Sequence, residues 1–277
     1  LVVSGFYIHM KIVICVKNPD KRMVMFEIPE ELIGRHRKFK KEALSILGQT
    51  TQKIISENRE EWGQVTLNII LNEGQRILNR KRDPKEELLA KILEGFFEIE
   101  SSYNSLKETP YFLRQLPGKL PSKSKYLELV ITGYLNETYI LTKRIEAYTT
   151  KISRLYKFNK DTTNKLKKLA ILNEKLSEYF NVINAIRSRH VHQNRYKDDD
   201  LDRLVFLELF INDTASFSKL ITPIYKKSLA ENKKKWLKYF QIQNETFEKI
   251  FDIYFAVLYD VIFDDKKEIR VLKSKIP

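Results

Sequence analysis

From Leu127 to Leu155 apolar residues recur at intervals of three, four and seven, as Leu127, Ile131, Tyr134, Leu141, Ile145, Tyr148, Ile152 and Leu155. At about 3.6 residues per turn this is one continuous stripe along a single helix. A stripe of that length must be buried against other long elements. The chain has the means to supply them, because 8 Gly and 8 Pro among 277 residues leave few places where a helix must stop. The fold class that follows is mainly α, a helical bundle.

Read from the start, the spacing is two rather than three and a half. Lys11 to Val16 and Met23 to Ile28 are β-prone runs on either side of Asn18-Pro-Asp-Lys-Arg22, the pattern of a hairpin. A lone hairpin is marginal and must pack on something. Beyond Pro29 the helical period sets in. Leu44, Leu47, Ile54 and Ile55, then Val65, Ile69, Ile77 and Leu78, predict two helices meeting near Trp62-Gly63. Asp83-Pro84 caps a third, which carries Leu88, Leu89, Ile92, Leu93, Phe96 and Ile99 and is expected to end before Thr109-Pro110. Proline and glycine are dense between Pro110 and Ser124, which marks a candidate boundary between residues 1–118 and a helical bundle of residues 119–277.

The long helix spans roughly Tyr126 to Phe158, and the turn Asn159 to Thr163 leads into a second with the stripe Leu166, Leu169, Leu172, Leu176, Phe180, Ile183 and Ile186. Two long helices joined by a short turn form an antiparallel hairpin. Carboxylates at Asp198 to Asp202 suit the start of a further helix, whose pattern Leu204, Leu207, Ile211, Leu220 and Ile224 runs to Pro223 or just beyond. A last helix is expected from about Glu231 to Phe263, followed by a charged tail, Asp264 to Pro277, that frays.

Composition restricts the functions open to such a bundle. The single cysteine, Cys15, excludes an internal disulfide framework and a cysteine-based zinc site, and the four histidines form no ligand set, so neither metal nor cofactor is expected. Reducing, cytoplasmic surroundings suit one free thiol. His9 and Lys11 interrupt the apolar opening segment, which argues against a signal peptide, and nothing later has the roughly 18 uninterrupted apolar residues of a membrane span. Leu1 and Met10 both remain candidate starts. The net charge is +14, with basic runs at Arg35-His36-Arg37-Lys38, Arg80-Lys81-Arg82 and Lys233-Lys234-Lys235. Each run alone reads as a solvated surface; together they favour a polyanionic partner.

Chemistry concentrates in Arg187-Ser-Arg189-His190-Val-His192-Gln-Asn194-Arg195-Tyr196, where three arginines and two of the four histidines fall within ten residues. On a straight helix, at about 100° per residue, Arg187 and His190 continue the apolar stripe while His192 points to the opposite side. An arginine and a histidine on a buried edge need a partner, a cleft or a second subunit. The alternatives are structural: Arg187 bonded to the Asp198 to Asp200 cluster, and His190 as a satisfied core histidine.

The run from Arg187 to His192 resembles the arginine, four-to-six residues, histidine motif of the HEPN (higher eukaryotes and prokaryotes nucleotide-binding) helical domains. The resemblance covers about Tyr126 to Phe263, with the motif late in a helical hairpin, and leaves Leu1 to Gly118 unmatched. Where asparagine or another polar residue often follows the arginine, this chain has Ser188, which keeps a hydrogen bond but changes its reach. The resemblance implies a homodimer that cleaves RNA without metal, as a ribonuclease in which Arg187 holds the scissile phosphate and His192 is the general base or acid. Arg189, Asn194 and Arg195 would then position phosphates, and Tyr196 would stack on a base. His190 competes with His192, and the assignment to His192 requires the helix to bend or end near Arg189. An active enzyme of this kind would act as a toxin or phage-defence effector restrained by a neutralising antitoxin protein. The alternative is a non-catalytic HEPN-like module that binds RNA, a nucleotide or a protein through the same face.

Overall fold

A computed structural model describes residues 12–16, 22–26, 29–57, 84–192, 199–213 and 215–270. It is a mainly α bundle. After the antiparallel strands β1 (Ile12–Val16) and β2 (Arg22–Phe26), in which Ile14 pairs with Val24, the described residues form six helices. These are α1 (Arg35–Glu57), α2 (Pro84–Arg114), α3 (Lys123–Tyr156), α4 (Thr163–His192), α5 (Asp199–Asp213) and α6 (Ala215–Ile262).

At 48 residues, α6 spans about 72 Å at 1.5 Å per residue and packs against each of the other five helices. Its inward face is aromatic: Trp236, Phe240, Phe247, Phe251, Tyr254 and Phe255 are buried. The α3 stripe lies against it as the spacing predicts, with Phe240 stacked on Tyr134 and Tyr254 hydrogen-bonded to Thr149 at 2.9 Å. One hydrophobic core runs from Phe39 to Phe263, so residues on both sides of Gly118 contribute to it. The breaker-rich stretch around Pro117 and Pro121 joins α2 to α3, two helices in close contact. Gly95 permits that contact, because a Cβ there would come within 2.3 Å of the Tyr148 ring.

Several expected boundaries differ. The helix ending expected before Thr109-Pro110 does not occur, and α2 continues through Pro110 to Arg114. Proline lacks the N–H that would bond the carbonyl four residues earlier. The Asn244 side-chain amide of α6 takes that place, donating to the Leu106 carbonyl at 3.1 Å while its oxygen accepts from Tyr134 at 2.9 Å. The helix expected to run from Leu204 to about Pro223 is instead divided after Asp213. Its second half is continuous with the helix expected to start at Glu231. Pro223 is exposed, which leaves the freed Lys219 carbonyl open to water, and Tyr225, Leu229 and Asn232 keep the inward face filled across the lysine-rich stretch.

The tail, expected to fray from Asp264, begins as a tight turn. Asp264 accepts from the backbone N–H groups of Lys266 and Glu268, Lys267 takes a left-handed conformation, and Ile269 bridges back to Phe263. Among the described side chains of α1 the buried ones are His36, Phe39 and Ala43, whereas Leu44, expected on the core side, is exposed. The helix expected to carry Val65, Ile69, Ile77 and Leu78 lies outside the described residues.

Candidate nucleic-acid interface

The hairpin of α3 and α4 is closed by its turn. Asn159 accepts from the Asp161 N–H, Thr162 donates to the Tyr156 carbonyl, and α4 starts at Thr163. Along α4, Leu169, Leu172, Leu176 and Phe180 are buried as their spacing predicts. Tyr179 donates to Gln243 at 2.8 Å, and Phe180 stacks with Phe247. At the other end Lys165 shares a small pocket with Tyr259, Asp264 and Arg270. Residue numbers therefore rise on α4 as they fall on α6, and the two helices are antiparallel.

Continued at equal rise, that register brings the last turns of α4 level with the lysine-rich middle of α6. Lys226, Lys227, Lys233, Lys234, Lys235 and Lys238 all lie on this stretch of one unbroken helix. From the other side, Asp200 in the first turn of α5 accepts from Lys235 at 2.8 Å. The first turn of α5 is thus tethered beside the same lysines. Lys233 reaches across to the Arg114 carbonyl at the end of α2, at 2.9 Å.

Arg187, Ser188, Arg189, His190 and His192 all stand in the last turns of α4, which stays helical to His192. Their side chains lie outside the described part, as do residues Asn194, Arg195 and Tyr196 altogether. No helix end occurs at Arg189. On the continuous helix His190 follows Arg187 by one turn, while His192 is a further half-turn round, so the competition between the two histidines persists.

A second titratable cluster went unnoticed in the sequence. His36, read there as part of a solvated basic run, is buried against Phe96, Tyr103 and Phe251 and stacks on Phe255 with ring centroids 4.8 Å apart. Its Nε2 is 2.5 Å from Glu100, whose other oxygen accepts from Lys40 at 2.5 Å. Burial alone would raise the Glu100 carboxyl, but the hydrogen bonds and charges of His36 and Lys40 outweigh it and hold the group down at about 2. Asp252 accepts from the N–H groups of Gly34 and His36, capping α1. The one sequence signal was that His36 precedes Phe39 and Ala43 by three and seven, which puts it on the inward face.

Glu208 of α5 makes a comparable anchor. It accepts from the Lys123 N–H, from the hydroxyls of Ser122 and Ser124 and from Tyr225, which together hold its carboxyl below the usual range against the effect of burial. This fixes the start of α3 to the α5–α6 pair. Among the described residues no three of His, Cys, Asp and Glu converge as a metal-ion ligand set, and no helix is long and apolar enough to cross a membrane.

No protein-family model, no curated protein and no solved structure matches the chain.

Proposed function

We propose that this chain is a metal-independent endoribonuclease whose site is formed by Arg187 and His192 from two copies of the molecule. The observation that carries the reading is the Asp200–Lys235 bond at the end of the antiparallel α4–α6 pair. It sets the first turn of α5, the helix that follows the motif, beside a stretch of α6 bearing six lysines, where a phosphate backbone is attracted.

The chemistry follows from the residue types. His192 takes the proton of a ribose 2′-OH, or in the other copy gives one to the leaving oxygen, since imidazole serves either role near neutrality. The 2′-oxygen bonds to phosphorus as the bond to the 5′-oxygen breaks, leaving a 2′,3′-cyclic phosphate and a free 5′-hydroxyl. Arg187 presents a planar fork of donors to the phosphoryl oxygens and stabilises the charge that develops there. Arg189, Asn194 and Arg195 position neighbouring phosphates, Ser188 offers a hydrogen bond at the edge of the site, and Tyr196 stacks on a base. An activity of this kind threatens the cell that makes it, which fits a toxin or defence effector held in check by a partner protein.

Incubating the purified chain with mixed RNA in EDTA tests this. Fragments ending in cyclic phosphate are expected from wild type and not from His192→Ala; cleavage that disappears on chelation rules out the metal-free route. The helical continuity of α4 past Arg189 favours a second reading, a module that binds RNA, a nucleotide or a protein without cutting it. Silent wild type that still binds RNA would select it.

A further inference from the structure

The α5–α6 pair is a hairpin, with Asp200 bonded to Lys235 at one end and Glu208 to Tyr225 nearer the turn. Its inward side is filled by Leu201, Leu204 and Tyr225. The outward side is unusually apolar: Phe206 is 58% exposed, Leu209 56% and Phe210 39% on α5, and Leu220 is 69% and Ile224 43% exposed on α6. Large apolar side chains carry about 150–250 Å² each, so five such residues present on the order of 500 Å². That is near the top of what one monomer ordinarily shows to water.

Charges continue the same two stripes away from the turn. On α5, exposed Arg203 and Asp199 follow at helical spacing from Phe206 and Phe210; on α6, exposed Lys227, Glu231 and Lys234 follow from Ile224. The register of the hairpin sets Arg203 level with Glu231, Asp199 level with Lys234, and Phe210 level with Ile224. A two-fold axis running along the hairpin would lay α5 of one copy over α6 of the other. Phe210 then meets Ile224 near the turn, Phe206 lies along the apolar stem of Lys227, and Arg203 and Asp199 meet Glu231 and Lys234 further along. The surface is complementary to itself, which is what a closed pair of identical chains requires.

We infer that the outward face of the α5–α6 hairpin is the dimer interface, and its occupant a second copy of this chain. The apolar patch with its charged rim approaches the roughly 800 Å² per partner of a standard stable interface. The inference rests on the two-copy reading above and specifies it: the same axis sets the last turns of α4 from both copies at one level of the dimer.

Sedimentation of the full chain tests the interface. Wild type is expected to be a dimer at low micromolar concentration, and Leu220→Asp together with Ile224→Asp to weaken it a hundredfold or more. Arg203→Glu and Glu231→Arg are each expected to weaken it about tenfold, and the double swap to restore it. A monomeric wild type, as when a segment of the same chain covers the patch, overturns the inference, and so does a dimer indifferent to these changes. RNA cleavage is scored separately: a dimer that obeys the swap but cuts nothing keeps the interface and removes the nuclease reading. Cutting by a dimer that ignores the swap does the reverse.

Discussion

Two stretches of this chain look alike in sequence, each a histidine set among arginines at the end of a long helix, and the fold treats them differently. Residues 35–38 start α1, and there the histidine turns inward, where Glu100 from α2 and Asp252 from α6 meet its ring and its backbone. Residues 187–192 end α4, level with the lysines of α6. The local density of positive charge does not separate the two. At His36 the fold adds what no local pattern shows, a carboxylate from each of two other helices to meet the buried imidazole and its backbone.

The comparison can be broken most sharply through activity. His192→Ala is expected to lower RNA cleavage by about 10²–10⁴-fold with an unchanged melting temperature, whereas His36→Gln should unfold the chain more readily and leave the cleavage rate per folded molecule alone. Equal loss of both properties in both variants would erase the distinction.

Next in size is Glu100→Gln, which leaves His36 and Lys40 facing a neutral amide and is expected to cost about 3 kcal/mol, read as a lower urea midpoint. Because the folded carboxyl sits at about 2 against an ordinary value of 4.5, its contribution is complete above pH 4.5 and is lost as pH falls through about 2. The gap between wild type and Glu100→Gln should therefore be level from pH 7 to pH 5 and close near pH 2.

Asn244→Leu strands the Leu106 carbonyl and the Tyr134 hydroxyl and should cost about 2 kcal/mol, again by denaturant titration. The smallest effect sharpens the contrast between the basic regions. Lys238→Ala is expected to reduce the salt dependence of RNA binding by roughly one counterion, and Lys40→Ala, on the Glu100 side, to leave that slope unchanged.

Much of this architecture was legible in the sequence. The stripe on α2 came out buried throughout, that on α3 as far as Ile152 with Leu155 half-buried, and on α4 Leu169, Leu172, Leu176 and Phe180 are buried and Leu166 half-buried, because a helix that packs on one side must repeat every three or four positions. Pro110 misled because the remedy for its missing N–H lies on Asn244, a residue far along the chain whose position only the fold decides. The lysine-rich stretch of α6 misled for a related reason. Its solvent side is so charged that the inward residues Tyr225, Leu229 and Asn232 make no visible stripe, and the eight residues between Ile211 and Leu220 hide the break after Asp213. The candidate site was legible only as a motif and as charge. His36 was hidden because its partner Glu100 is on a different helix, and no local pattern joins them.

The claim on which the account stands is that the end of α4 acts on a ribose-phosphate through the sugar hydroxyl. The most direct measurement offers the wild-type chain a single-stranded oligoribonucleotide and its all-deoxy counterpart, side by side in EDTA, with His192→Ala as the control. The account predicts that only the ribose strand is cut, that the 5′ fragment ends in a cyclic phosphate, and that the variant leaves both strands whole. Cutting of the deoxy strand, or cutting that survives in His192→Ala, would contradict it.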